Sequence, residues 1–440
     1  MGHRTIGGYL RKRLSPAFLV FAVTLFPPVL IPGGAAAAEL SLSSRSYGLL
    51  YEREQAGGEK NSYAPLYEYL SADVADLGGK NVSLHFYGWG RVDLADDSGS
   101  DSSSGEVSSF YAEYLHPEGN AQAKLGRFFL TEGSAMDTID GVFVKATTPV
   151  GVGVSLYGGV PVEYSILAGR EKGDSIYGAR VFYARPGIAE LGVSYLNEDG
   201  STEETDRELY GGDLWVQVAK GVELTGRASY NRTTHGMASQ RYAVRVMPGA
   251  GLDISAGYES YDYEGLFGPT LNPAFVFPAL DNTDEVRTIF GVVDWGFAPG
   301  WTLEVSGKHI RHDKSDPGDA NRVEAGLRRG YNKNRDMAGL SAAFVAGDRA
   351  ENEYREMRAF ATWSPDRLRF TLDGIVQNFK QEISGKKNAY QVVATAGYRL
   401  LEALQLSGSL TCTRSPSYDY DYAGLVRLSY DLSVATGGKK

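Results

Sequence analysis

Charged residues recur at alternate positions in the middle and in the C-terminal third of this chain, and their types suit binding of ions and polar solutes. An alternating spacing places side chains on one face of an extended segment. The residues are Arg227, Arg241, Arg245, Arg367, Arg369, Glu223, Asp253, Glu259 and Asp373. Where basic and acidic walls face each other across a pore, they set a transverse electric field and bias which ions pass through it. The same pattern suits solvated or paired side chains that only hold a wall together, so both interpretations stay open.

Residues for catalysis are sparse. The five histidines after residue 38 are His85, His116, His235, His309 and His312, and none lies in a recognisable nucleophile motif. The nucleophile motif Gly-x-Ser-x-Gly is absent, and the single cysteine, Cys412, excludes an internal disulfide or a Cys-paired zinc site. The chain also lacks the haem attachment motif Cys-x-x-Cys-His. We therefore expect no enzymatic activity and no cofactor or metal bound by this chain.

One long connection, Gly265 to Asp284, is unusually apolar for a loop exposed to water. Its aromatic residues Phe267, Phe275 and Phe277 are expected to pack against other groups, away from water. Loops longer than about 15 residues are often functional. One hypothesis folds this loop into a pore as a constriction. Two others remain open: the loop lies on a rim against a partner or lipid head groups, or it packs on its own neighbours.

The elements that position these residues are strands. From Val82 to Leu94, apolar residues and glycines alternate with polar and aromatic residues, and the period is two. The same alternation runs from Leu404 to Thr413. Segments of roughly 10 to 14 residues exceed ordinary globular strands and match a tilted membrane span.

The connections alternate between short and long. Short turns include Pro186-Gly187, Lys220-Gly221 and Pro299-Gly300, whereas Asp96–Gly105 and Asn197–Asp206 are longer and polar. Short turns at one rim and long loops at the other are typical of outer-membrane barrels. No stretch after the N-terminal segment is apolar enough for a membrane helix, so a membrane-spanning chain must close as a barrel.

We therefore predict an all-β fold: a single closed antiparallel transmembrane barrel of about 22 strands, within a range of 16–22. The barrel has short periplasmic turns and longer extracellular loops. The two faces differ least in Ser41–Glu54, Ala121–Leu130 and Ala338–Ala346.

Residues 1–38 are predicted to be a cleaved signal peptide, and residues 39–440 the barrel. A basic start with Arg11, Lys12 and Arg13 precedes an apolar run that ends in small residues before Glu39. The alternative is a retained membrane anchor, which requires roughly 20 apolar residues without a proline pair such as Pro27-Pro28. Loss of four basic residues leaves 40 Lys+Arg against 54 Asp+Glu, an acidic balance that argues against a nucleic-acid partner.

In architecture the chain resembles the porin-like outer-membrane channels of Gram-negative bacteria. It is similar to deltaproteobacterial channel proteins, including the barrel components of porin–cytochrome conduits. Such barrels often end on Phe or Trp, whereas the last aromatic residue here is Tyr430, followed by a polar tail. The larger conduit barrels can carry an N-terminal cysteine pair, which this chain lacks.

The resemblance implies a location in the outer membrane and passive passage of small polar solutes or ions. The expected partners are membrane lipid and lipopolysaccharide. The alternative function is a barrel sleeve that houses a multihaem cytochrome, in which case periplasmic and extracellular c-type cytochromes are the partners. At about 22 strands an empty lumen would leak solutes, so we expect inward loops or an occupant to narrow it.

Overall fold

The computed structural model describes residues 39–54, 60–77, 81–95, 103–162, 175–199, 206–249, 251–262, 265, 284–314, 318–349, 353–416 and 418–435. The predicted signal peptide, residues 1–38, lies outside them. The strands are β1 (Glu39–Glu54), β2 (Lys60–Tyr63), β3 (Pro65–Ala75), β4 (Val82–Asp93), β5 (Ser103–Leu115), β6 (Ala121–Glu132), β7 (Ala135–Thr147), β8 (Val152–Pro161), β9 (Ser175–Arg185), β10 (Ala189–Asp199), β11 (Arg207–Ala219), β12 (Val222–Asn231), β13 (Gly236–Gly249), β14 (Leu252–Asp262), β15 (Glu285–Ala298), β16 (Trp301–His312), β17 (Ala320–Tyr331), β18 (Asp336–Gly347), β19 (Tyr354–Trp363), β20 (Leu368–Ile383), β21 (Lys386–Arg399), β22 (Leu404–Ser415) and β23 (Tyr418–Ala435).

The strands close into a single antiparallel barrel. Each strand pairs with its neighbours in sequence, and β1 pairs with β23 from Glu39↔Ala435 to Tyr51↔Ala423. Strands β2 and β3 both pair with β1 in one continuous register, so together they count as one strand of the wall. They are interrupted at Pro65, which has no N–H to donate. The wall therefore has 22 strands, and the predicted fold is confirmed.

The two faces of the wall differ in polarity. Large apolar side chains such as Val193, Phe344 and Leu410 are more than half exposed on the outer face, where a membrane would cover them. Aromatic residues on this face form two belts, as membrane interfaces favour. Trp295, Phe297, Trp363, Phe370 and Tyr398 lie towards one rim, and Tyr177, Tyr195, Tyr210, Tyr420 and Tyr422 towards the other.

The turns at one rim are tight. The residues Gly187, Gly221 and Gly300, at three of the predicted turns, have φ between 74° and 76°, the left-handed region that glycine adopts without strain. The other rim carries most of the longer connections. Among the described residues no helix is long and apolar enough to cross a membrane.

Candidate functional site

The β6–β7 hairpin leaves the wall halfway up and enters the barrel. Strand β5 pairs with β6 only from Phe110↔Arg127 to Leu115↔Gln122, whereas β6 and β7 stay paired to the tip at Glu132↔Ala135. We call residues 127–140 the tongue. Its residues contact the inner faces of β9, β10, β11 and β12, strands two to five positions beyond β7 around the wall. Contacts over that distance are made only across the interior of the barrel.

Glycines lie where the tongue bends. Gly126 has a φ of 125° and is directly opposite Gly141, which in turn is directly opposite Gly159 on β8. A Cβ at Gly126 would overlap the carbonyl oxygen of Phe110, and one at Gly141 would overlap that of Gly158. The absence of side chains at these positions lets three backbones approach while the hairpin turns inward.

The side of the tongue that faces the wall is apolar at its centre. Phe128, Leu130, Ala135 and Ile139 are at most 3% exposed. They form one cluster with inner-face residues of the wall, namely Tyr157, Ile176, Leu196, Leu209 and Ala238. A closed barrel with a wet lumen has no core of this kind, so the cluster fixes the tongue against the wall by burial of apolar surface.

Two arginines of the wall bind carboxylates of the tongue. Arg180 of β9 lies 3.1 Å from Glu132 and 2.8 Å from Glu190, and it also binds Asp213. The Arg180 and Glu132 side chains are only 6% and 7% exposed. Lys145 lies 3.3 Å from Glu132. A buried carboxylate requires such partners, because its desolvation is costly without them.

The second anchor is Arg207 of β11, which lies 2.8 Å from Asp137 of the tongue and also binds Glu198. At the tip, the backbone N–H of Ser134 donates to the Ser194 hydroxyl at 3.0 Å, and the two hydroxyl oxygens are 3.2 Å apart. Anchors at the tip and along β7 hold the tongue in one orientation.

The opposite side of the tongue is open. Phe129 and Met136 are both 55% exposed and lie on the face that points away from the apolar cluster. An Arg227 nitrogen on β12 lies 3.5 Å from the Met136 sulfur. The edge of the tongue thus meets the wall beside one of the arginines that the sequence singled out.

The predicted charged residues on β12, β13 and β14 come together on the inner face. Arg241 is directly opposite Arg227, and Arg245 is directly opposite Glu223. Arg245 binds Asp253, with Nε 3.0 Å from a carboxylate oxygen, and Arg241 lies 3.7 Å from Glu259. The Arg241 and Arg245 side chains are 65% and 50% exposed, so they meet solvent inside the barrel.

The remaining predicted residues belong to a separate arc, six strands further on. Asp373 of β20 binds Arg358 of β19 at 2.8 Å, a partner that the sequence did not suggest. Arg369 shares the inner face with Asp373, opposite Gly397, and Arg367 lies in the turn before β20. The nine residues therefore form two groups, not one cluster. Their role as pore lining stays a prediction.

The predicted constriction residues Phe267, Phe275 and Phe277 lie outside the described residues. Among the described residues, the tongue enters the interior, and it was not predicted. Two signals pointed to it: the faces of Ala121–Leu130 differ little, and Gly133-Ser134 makes a tight turn at the rim of the long loops. The sequence analysis also missed the ion-pair residues Arg180, Arg207, Glu132 and Asp137. Partners that meet across a lumen are far apart in sequence, so no regular spacing in the sequence reveals them.

No group of three His, Cys, Asp or Glu residues within the described part of the chain is arranged to hold a metal ion. The inner face instead offers ion pairs, hydroxyl groups and aromatic rings.

Comparison with known proteins bears on the fold. No protein-family model matches the chain, and no curated protein matches it. The P pilus usher PapC translocation pore is 10% identical, with a TM-score of 0.50 over 89% of this chain and 100% of that one. OccAB2 of Acinetobacter baumannii (10% identity, TM-score 0.47) and OccK8 (OprE) of Pseudomonas aeruginosa (12%, 0.42) each match over 90% of this chain and 98% of theirs.

The chain has the fold of a Gram-negative outer-membrane β-barrel. Three features indicate this fold: the closed wall, the apolar outer face and the two aromatic belts. The likeness to the PapC pore agrees with it. At 10% identity that likeness extends to the fold alone.

Proposed function

We propose that this barrel is an outer-membrane channel for passive passage of small polar solutes or ions. The observation that carries the proposal is the tongue. With strands about 4.8 Å apart and tilted by about 40°, a 22-stranded wall is about 40 Å across between backbones. The tongue covers one side of that lumen, and the described wall outside it is lined by charged, polar and aromatic side chains.

The path would run between the open side of the tongue and the arc of wall that carries Arg241, Arg245 and Glu259. Their exposed guanidinium and carboxylate groups replace part of the hydration shell of a passing ion. Membrane lipid and lipopolysaccharide are the proposed surroundings of the apolar outer face. The resemblance to deltaproteobacterial channels stays a prediction.

Conductance in a planar lipid bilayer tests the proposal. The purified chain should give discrete channel openings whose conductance rises with salt concentration. Arg241→Glu should shift the reversal potential in a salt gradient towards cation preference, by about twofold in the permeability ratio, because it reverses one exposed lumen charge. Arg329→Glu is the matched control, since Arg329 lies on the outer face over Trp301. Absence of openings from protein that migrates as folded barrel would refute the proposal.

The alternative, a sleeve around a multihaem cytochrome, gains no support from the structure. Such a cytochrome needs the interior that the tongue occupies next to β9–β12. An absorbance spectrum of the protein purified from its native membrane decides between the two. We expect no Soret band, and a band in stoichiometric amount would establish a bound cytochrome and favour the sleeve.

A further inference from the structure

A second feature of the lumen lies outside both charged groups. The inner face of β1–β4 carries seven aromatic side chains. We call six of them, which lie between the levels of Tyr51 and Tyr69, the aromatic wall: Tyr47, Tyr51, Tyr63, Tyr67, Tyr69 and Trp89; the seventh, Tyr87, lies opposite Ser71, beyond the level of Tyr69. The register fixes their direction. Tyr47 is directly opposite Arg427 on β23, whose neighbour Val426 is 54% exposed on the outer face. Tyrosines at membrane depth ordinarily belong to the interfacial belts, so an inner-face cluster needs another explanation.

The tyrosine rings form two groups, a pair and a set of three, that follow one another along the wall and make a track. Tyr51 and Tyr63 stack at 5.1 Å between centroids, with 14° between their planes. Tyr47 meets Tyr69 edge-on at 5.6 Å, and Tyr67 stacks beside Tyr69 at 6.4 Å. None of the six is buried. From the level of Tyr51 to that of Tyr69 the track spans six residues of β1, about 20 Å at 3.3 Å per residue.

The charges along the track are largely paired. Arg91 lies 3.1 Å from Asp93 and over the ring of Tyr67, and Arg45 lies 2.6 Å from Asp431. Arg427 lies over the Tyr47 ring and donates to a serine hydroxyl. This mixture of donors and acceptors differs from the exposed arginines of β13.

We propose that the aromatic wall binds neutral saccharides, a specificity that rests on the proposed channel function. A pyranose ring presents C–H groups on its faces, which pack on aromatic rings, and hydroxyl groups at its rim. Hydroxyls both donate and accept, so they bind a guanidinium and its carboxylate partner together. Successive rings along the track would contact successive sugar units, so affinity should rise with chain length.

Equilibrium binding to the purified full-length barrel in detergent tests the proposal. Maltose to maltohexaose serve as probes in isothermal titration, with benzoate as the aromatic anion. Tyr67→Ala and Tyr51→Ala should each weaken maltohexaose binding about three- to tenfold, the range expected for loss of one aromatic contact. Tyr67→Phe keeps the ring and should restore binding to within about twofold. Tyr398→Ala, on the outer face, is the matched control, and migration on gels with and without heating verifies that each variant is folded.

The outcomes separate this proposal from the channel itself, because binding is measured without current. A conducting barrel that binds no maltohexaose overturns the saccharide track and leaves the channel intact. A barrel that binds maltohexaose with the expected ring dependence but never conducts supports the track and overturns the channel. Binding of benzoate without binding of saccharides overturns the ligand class, and equal losses in Tyr67→Ala and Tyr398→Ala overturn the site.

Discussion

Two arcs of the same wall use similar ion pairs for different purposes. In the covered arc, β8–β12, the tongue lies on the inner face, and the Arg180 and Glu132 side chains are 6% and 7% exposed. In the open arc, β13–β20, the Arg245 and Arg358 side chains are 50% and 54% exposed although each binds an aspartate. Burial, not residue type, separates an ion pair that holds the structure from one that faces the solvent of the lumen.

The difference follows from desolvation. A buried arginine that loses its carboxylate, or a carboxylate that loses its arginine, leaves an uncompensated charge, which costs about 3–5 kcal/mol. An exposed pair contributes less than about 1 kcal/mol, because water replaces the lost partner. The covered arc should therefore respond to substitution in stability, and the open arc in conductance and ion preference.

Removal of the tongue should produce the largest of the predicted effects, a change in single-channel conductance. Arg127 and Asp140 are directly opposite partners, so Asn-Gly in place of residues 128–139 can close the shortened hairpin. Single-channel conductance should rise about two- to fivefold, since the lumen loses an element that covers one side of it. The control replaces residues 381–386, at the tip of the β20–β21 hairpin on the same rim, with Asn-Gly. Equal conductance in both variants would mean that the tongue does not narrow the path.

Substitution of the anchoring residue Arg180 should produce the second-largest effect, a loss in the free energy of unfolding. Arg180→Met leaves Glu132 and Asp213 without their main partner and should lower the free energy of unfolding by about 3–5 kcal/mol. Arg245→Met, the matched change in the open arc, should lower it by less than about 1 kcal/mol. Denaturant unfolding in detergent micelles, followed by heat-sensitive gel migration, measures both. Similar losses in the two variants would remove the distinction between the arcs.

The smallest effect should come from substitution of Gly126, where the tongue bends away from the wall, and it should be a loss of stability. Gly126→Ala places a side chain at a φ of 125° and against the Phe110 carbonyl, and strain of this kind costs about 1–3 kcal/mol. Gly212→Ala is the control, because a Cβ there meets its nearest atom, the Gly192 carbonyl oxygen, only at 4.0 Å. A Gly126→Ala variant as stable as Gly212→Ala would contradict the tight approach of β5 and β6.

The wall itself was predictable from the sequence. Alternation from Val82 to Leu94 and from Leu404 to Thr413 places apolar residues on one face because the side-chain period of a strand is two. The turns at Gly187, Gly221 and Gly300 were predictable because a left-handed φ favours glycine. These are local properties, and the strand count follows from them.

The tongue was not predictable in the same way. The weak contrast between the faces of Ala121–Leu130 sets β6 apart but does not indicate where the hairpin goes. The tongue enters the lumen because three glycines on three strands meet and because Arg180 and Arg207 lie opposite its carboxylates. Those contacts join residues that are far apart in sequence. Ser41–Glu54 showed weak contrast for a related reason: its inner face carries Tyr47 and Tyr51, and its outer face carries serines.

A cross-link between the tip of the tongue and the wall tests the inward hairpin most directly. The Ser134 and Ser194 hydroxyl oxygens are 3.2 Å apart, although their residues lie on hairpins four strands apart. A Ser134→Cys, Ser194→Cys variant, with Cys412→Ser to remove the native thiol, should form a disulfide on oxidation, seen as faster migration of the unfolded chain on a non-reducing gel. Folded protein in which both thiols stay free and react with a maleimide added to the channel would contradict a tongue held inside the barrel.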